Sequence, residues 1–361
     1  MLNYRVIQTI NGLPKIFVRM ASENGTKKPV RSKYFDLNEF LKKVSVTYKA
    51  GKTLEKSNTV MAGYIEIGDV KTSRATVVGL PGSPGSHNDF KYMKEFFEQK
   101  NIRLVCFNWP GSEFTPGGIE NGYYNHERNS YAKAVLEKLD VKNCNRIIVC
   151  GHSRGGENAL QLANILAADN WPVIGAALLN SPGFESHQGI RKRMGVIEFL
   201  GNLIKLNSRL INYFLHPLLD YFYNKIVGLR VANGAVAAAA ILPLRTFAFD
   251  EQAKSIDEVR TYPNVKTFYG FGAKDFLIET HISDEFAAAF IGSDHYIIHD
   301  KTESAATIPK AKQSYLSGKQ FVTANFTEEG HYLQKTYPEF IIEIIDAMVQ
   351  VDEQKQQQES T

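Results

Sequence analysis

The stretch Arg146-Ile147-Ile148-Val149-Cys150-Gly151-His152-Ser153-Arg154-Gly155-Gly156 constrains the fold more than any other part of the chain. It begins with an apolar run of strand type. It continues into Ala159, Leu160, Leu162, Ala163, Leu166 and Ala167, which recur at helical spacing. Gly-x-Ser-x-Gly lies between them. A strand that turns directly into a helix through this pattern forces its serine into a strained backbone conformation and exposes the Oγ. The small residues two positions either side let the chain close there without Cβ clashes. The bare pattern is common, and by itself it also fits a glycine-rich turn that carries a surface serine. The strand before it and the helix after it give it meaning.

The same strand-then-helix unit recurs along the chain. Ala75 to Leu80, Ile102 to Phe107 and Val173 to Leu179 are nearly continuous in apolar residues, as strands buried on both faces must be. Val265 to Tyr269 and Phe321 to Asn325 continue the series. Between the strands lie helical faces, among them Phe90, Met93, Phe96 and Phe97, then Tyr131, Ala134, Val135 and Leu139. The last comprises Phe340, Ile341, Ile344, Ile345, Met348 and Val349. Repeated β-α units imply a parallel, doubly wound sheet. Lys43 to Tyr48 and Val60 to Ile67 alternate instead, which predicts an antiparallel edge.

The divisions follow. Residues 1–40 read as an N-terminal extension or edge strands, with a hairpin around Asn11-Gly12. The α/β core is expected over 41–185 and 259–352. Between its halves, residues 186–258 lose the repeat. Ile197, Leu200, Leu203, Ile204, Ile211, Phe214, Leu215, Leu218 and Phe222 lead to the alanine-rich run Ala235 to Ala240, which predicts a helical cap. Residues 353–361 are expected to be a frayed tail.

Composition narrows the class. Hydrophobic residues make up 43% and charged residues 22%, which predicts a packed globular core. The net charge is only +4, with Lys and Arg dispersed, so no nucleic-acid partner is expected. The three cysteines, Cys106, Cys144 and Cys150, form no Cys-x-x-Cys pair and fit a reducing compartment. The N-terminus lacks the layout of a secretion signal. The longest apolar run, Val231 to Leu244, is broken by Asn233, Gly234 and Pro243. A soluble cytoplasmic protein with no transmembrane segment, no metal and no cofactor is the expectation.

A serine hydroxyl needs a general base to take its proton and a third group to orient that base. In an open parallel sheet such groups collect at the carboxyl ends of strands. After Val265 to Tyr269 comes Gly270-Phe271-Gly272-Ala273-Lys274-Asp275. After Phe321 to Asn325 comes Phe326-Thr327-Glu328-Glu329-Gly330-His331. The order Ser153, Asp275, His331 is the one that an α/β-hydrolase arrangement requires. Glu279 and Asp284 are substitutes for the acid, and His281, His295 and His299 for the base, though none of these histidines follows a strand so cleanly. Negative charge on a substrate oxygen needs preorganised N–H donors. The N–H of Arg154, after the serine, is one. The loop Leu80-Pro81-Gly82-Ser83-Pro84-Gly85-Ser86 supplies the other, with Ser83 preferred, Gly82 second, and the prolines lacking an N–H. The Arg154 side chain is equally suited to a substrate carboxylate or to structural partners. Trp109 and Gly82 are weaker candidates for lining the substrate site.

On these motifs (Gly151-His152-Ser153-Arg154-Gly155-Gly156, Gly272-Ala273-Lys274-Asp275 and Gly330-His331) the chain resembles the α/β-hydrolase superfamily over roughly residues 40–350. The resemblance implies an α/β-hydrolase fold: a mostly parallel eight-stranded sheet flanked by helices, a Ser-His-Asp triad and a cap. Pro81-Gly82-Ser83-Pro84-Gly85 resembles the family's oxyanion loop, with Pro81 where histidine is usual. Asn108-Trp109-Pro110-Gly111-Ser112 keeps little of the family's next loop. A serine nucleophile argues against the epoxide hydrolase and dehalogenase relatives. The expected function is a serine hydrolase that cleaves an ester, thioester or lipid-like acyl bond in a small, lipophilic substrate. A non-enzymatic binding or scaffold protein on the same fold is the alternative. The same residues as acid/base machinery for a lyase or acyl transferase are a third reading.

Overall fold

In the computed structural model, which describes residues 36–117, 123–227 and 229–360, the apolar runs become strands of one sheet. They are β1 (Leu41–Ala50), β2 (Lys56–Ile67), β3 (Ala75–Leu80), β4 (Ile102–Phe107), β5 (Ile147–His152), β6 (Val173–Leu179), β7 (Lys266–Gly272), β8 (Asp294–Ile298) and β9 (Phe321–Phe326). Their order is β1-β2-β4-β3-β5-β6-β7-β9-β8. β1 pairs antiparallel with β2, and β2 with β4, as their alternating patterns predict. The remaining pairs are parallel. The sheet thus has nine strands rather than the expected eight. The additional strand is β8, a short edge strand half open to solvent, whose alternating exposure leaves too few apolar residues to stand out.

β3 through β7 are buried along their whole length, so both faces need helical cover. The α-helices of six residues or more are α1 (Lys94–Gln99), α2 (Asn125–Lys138), α3 (Arg154–Ala168), α4 (Met194–Lys205), α5 (Arg209–Tyr221), α6 (Gly234–Ile241), α7 (Phe249–Arg260), α8 (Thr280–Ala288), α9 (Lys301–Leu316) and α10 (Pro338–Ser360). One core joins Tyr131 of α2, Leu162 of α3, Val259 of α7 and Phe286 of α8 to the sheet. The other joins Phe97 of α1, Tyr315 of α9 and Phe340, Ile344 and Met348 of α10. Residues 1–35, with the expected hairpin, lie outside the described residues.

The segment between β6 and β7 divides in two. α7 belongs to the sheet's helical layer through Ile256 and Val259. α4, α5 and α6 build a separate small core from Ile204, Leu215, Leu219, Ala237 and Ala238. Their amphipathic pattern is two-sided. Leu200 and Leu203 face that core, while Phe199, Leu210 and Phe214 stay exposed.

The expected frayed tail is instead the end of α10. Arg74 donates to Glu353 at 2.7 Å, and Arg146 donates to Asp352 at 2.7 Å and to Gln356 at 2.6 Å. These arginines stand at the strands' amino ends and hold the last turns, a contact that local propensity cannot register. No helix among the described residues is long and apolar enough to cross a membrane.

Phe340 packs edge-on against Phe326, with ring centroids 5.3 Å apart, and is 1% exposed. Phe340→Ala is expected to lower the unfolding free energy by about 3–5 kcal/mol. Phe214, 68% exposed on α5, has no such cavity to leave. Phe214→Ala is expected to stay within about 0.5 kcal/mol. Urea unfolding midpoints of the two variants check both values.

Candidate functional site

β5 ends at His152 and α3 begins at Arg154, so Ser153 makes the whole turn. Its φ of 52° and ψ of −129° lie outside the regions ordinary for an L-residue. Its N–H donates to Leu179 O at 2.8 Å, which ties the turn to the end of β6. The glycines explain how the chain can pass. A Cβ at Gly155 would run into the carbonyl oxygens of Leu80 and Pro81 at the end of β3, and a Cβ at Gly151 would run into Gly155. The elbow therefore presses directly on the loop that follows β3. Gly82 in that loop sits so close that a Cβ there would lie 3.2 Å from the Ser153 Cβ.

Asp275 follows β7, and His331 follows β9. His331 Nδ1 and Asp275 Oδ2 are 2.7 Å apart, both side chains nearly fully buried. A proton on Nδ1 directed at the carboxylate leaves the Nε2 lone pair available as an acceptor. Asp275 Oδ2 also accepts from Asn180 Nδ2 at 2.9 Å, and its Oδ1 accepts the N–H groups of Leu277 and Ile278 at 2.8 and 3.2 Å. Burial pushes the Asp275 carboxyl up. The His331 charge and hydrogen bond, with the Leu277 and Asn180 donors, more than offset this and hold it below the ordinary carboxylate range. The other acids and histidines raised by the sequence lie apart from this pair. Glu279 faces Arg191 and His187, His281 meets Glu185, His295 meets Thr323, and His299 meets Thr327.

The loop after β3 is held by a residue that sequence reasoning passed over. Ser86 and Asp89 form a capping box on the 3-10 turn His87–Met93. Asp89 Oδ2 also accepts the Gly82 N–H at 3.0 Å and lies 3.1 Å from His152 Nδ1. His152 Nε2 in turn is 2.9 Å from His331 O. One carboxylate thus joins the loop, the elbow and the chain at His331. The Ser86-x-x-Asp89 spacing is a capping signal that could have located it. Asn180 was likewise missed. It closes β6 at a φ of 45° and points its amide at Asp275, and only the neighbouring strand ends reveal that role.

Because Asp89 takes the Gly82 N–H, Ser83 is the next donor along the loop after Gly82. Arg154, at the first position of α3, has an N–H with no intrahelical acceptor, and the positive end of the helix dipole lies there. The Arg154 side chain goes elsewhere. It pairs with Glu157, donates to Thr246 O at 3.0 Å and stacks over Phe247. Its partners are structural. Trp109 donates its Nε1–H to Pro81 O at 2.8 Å and carries the Arg128 guanidinium over its ring at 4.0 Å.

Beside the elbow opens a cavity of about 530 Å³. Gly82, Ser83, Trp109 and Tyr332 line it on the sheet side, and Val236, Ala239 and Pro243 on the side of α6. Ser153, Asp275 and His331 border this space through those loops and do not line it.

The lowered Asp275 value has a consequence for stability. A carboxyl held low contributes fully above its unfolded value of about 3.9, and the contribution is lost as pH falls through the folded value. Asp275→Asn should therefore be less stable than the wild type at pH 7. The gap should close below about pH 4, because a protonated Asp and an Asn are near isosteres. Urea midpoints for both proteins across pH 3–7 check this.

A profile of the family described as "Alpha/beta hydrolase of unknown function (DUF1057)" matches residues 40–350. An uncharacterized protein of Caenorhabditis elegans is 57% identical over 325 residues, which cover 90% of this chain and 91% of that one. Among solved structures, an esterase from Exiguobacterium antarcticum aligns at a TM-score of 0.52 with 17% identity, over 85% of this chain and 100% of the other. A thermophilic esterase from Thermogutta terrifontis aligns at 0.54 with 14% identity, over 86% and 98%. Identities this low speak for the fold alone. The elbow, the strand order and the profile match together assign the chain to the α/β-hydrolase superfamily, as a member of its DUF1057 family.

Proposed function

We propose that the protein is a serine hydrolase that cleaves an ester-type acyl bond (carboxylic ester, thioester or lipid-like) through an acyl-enzyme. One observation carries this reading. A buried His331–Asp275 pair at 2.7 Å follows β7 and β9, and the turn that ends β5 holds Ser153 at a φ of 52°. Structure of this kind is expensive to maintain without use: a strained turn and a buried carboxylate both need support from the surrounding fold.

The steps follow from the roles of the groups. His331 Nε2 takes the Ser153 hydroxyl proton as Oγ attacks the substrate carbonyl. The N–H groups of Ser83 and Arg154 hold the resulting oxyanion, aided by the amino end of α3. His331 then gives that proton to the departing oxygen or sulfur. A water molecule, deprotonated by His331, attacks the acyl-enzyme, and Ser153 leaves with the proton returned. Asp275 stays ionised throughout and keeps the imidazole in the tautomer that presents Nε2. In this reading α4, α5 and α6 form the cap, and Val236 and Ala239 of α6 supply the apolar wall against which an acyl chain rests. The exposed apolar side chains of α4 and α5 support substrates of lipophilic character.

A non-enzymatic binding protein on this fold draws on a different observation, that the cavity is lined by the loops beside Ser153 and not by Ser153 itself. A fluorophosphonate probe separates the readings. The wild type should label, and Ser153→Ala and His331→Ala should not. Silence from folded wild-type protein favours the binding reading. With a chromogenic short-chain ester, Ser153→Ala should lose about 10⁶-fold in kcat and Asp275→Asn about 10⁴-fold. Wild-type turnover by Ser153→Ala would sink the mechanism.

A further inference from the structure

Arg128 on α2 is 4% exposed, lines the cavity and has no ion-pair partner among the described residues. Its Nη1 is buried without a hydrogen-bond partner. Neighbouring acids do not answer it. Glu157 is committed to Arg154, to Asn125 Nδ2 and to the Ala248 N–H. Glu127 also lines the cavity, accepts the Gly51 N–H with Oε1 and makes no ion pair with Arg128. Burial and then the Arg154 charge disfavour the charged guanidinium, and Glu157 and Tyr123 oppose them too weakly to restore it. A buried cation left in this state is a liability unless something outside the chain pairs with it.

The surroundings say what would pair. Trp109 covers one face of the guanidinium, so an anion meets its edge, where the N–H groups form a planar fork that matches a carboxylate. Arg128 is the buried cation among the cavity's lining residues, and it calls for one negative charge. A dianion would bring surplus charge into the same enclosed space, beside Glu127. Trp109 is bonded to Pro81 O, and the next residue, Gly82, abuts Ser153. The cavity therefore runs from Arg128 to the loop that abuts Ser153, with Val231, Val236 and Ala239 as an apolar wall. Lys91, Arg230 and Lys335 also line it, against Asp89 and Glu113, and Asp89 is already bonded to Gly82 and His152.

We propose that Arg128 is a carboxylate-binding site, and that the substrate is an ester of an aliphatic chain whose far end is a carboxylate. The ester rests on the hydrolase reading above. The carboxylate does not, and binding alone can test it.

The test uses the full chain carrying Ser153→Ala, so that nothing turns over. Monomethyl esters of C5 to C10 straight-chain dicarboxylic acids are titrated calorimetrically beside the neutral methyl esters of monocarboxylic acids of matched length. The best anionic member should bind about 10- to 100-fold tighter than its neutral partner. Alkyl phosphates of the same lengths should bind more weakly than the half-esters. Arg128→Met should abolish the preference, and its ligand-free melting temperature should equal or exceed that of its parent, because an unpaired buried charge is gone. Equal binding of anionic and neutral esters overturns the proposal, as does tighter binding of the phosphates or a preference that survives Arg128→Met. The ester comparison stands whether or not Arg128→Met folds. Fluorophosphonate labelling without a carboxylate preference would remove this site and keep the hydrolase. A carboxylate preference without labelling would do the reverse.

Discussion

A sheet covered on both faces has no room for polar chemistry within its body. β3 through β7 present mostly apolar side chains to both helical layers, and their backbone hydrogen-bonding groups are used in the ladder. Polar clusters are thereby favoured at the strand ends, where the chain leaves the ladder and regains free backbone geometry. Ser153, Asn180, Asp275 and His331 follow β5, β6, β7 and β9 for this reason. The spatial order of these strands, and not their sequence separation, brings four distant residues within one small volume.

That volume is held together by backbone contacts as much as by side chains. Gly155 lets α3 press on the carbonyls that end β3, and Gly82 lies against Ser153. Asp89 bonds to the loop through Gly82 and to the elbow through His152, which in turn reaches the His331 carbonyl. Movement of the loop, the elbow or the histidine would disturb all three. Preorganisation of this kind aligns donors before charge develops, which is where their contribution to a reaction is largest.

Two buried arginines in one region illustrate how packing separates residues that look alike. Arg154, next to the serine, is the natural suspect for contacting substrate. Glu157 and Thr246 take its two terminal nitrogens, and Phe247 covers its face. Arg128, far away in the sequence and without a motif, is left facing the cavity. The difference lies in where the neighbouring carboxylate points. Glu157 follows Arg154 by one turn on α3 and captures it, whereas Glu127 adjoins Arg128 on α2 and turns to Gly51.

The local sequence determined the parallel sheet, the elbow at Ser153 and the choice of Asp275 and His331 as residues after strands. Those features depend on periodicity and on glycine spacing, which are properties of neighbouring residues. Tertiary structure decided the rest. It added β8, whose few apolar residues take their register only from β9. It extended α10 through residues expected to fray, because Arg74 and Arg146 reach them from strands more than 200 positions away. It also divided the 186–258 segment between the sheet's own layer and a separate helical core, and it assigned Asp89, Asn180 and Arg128 their surroundings. A side chain's partners across the sheet depend on strand order, and no local pattern encodes strand order.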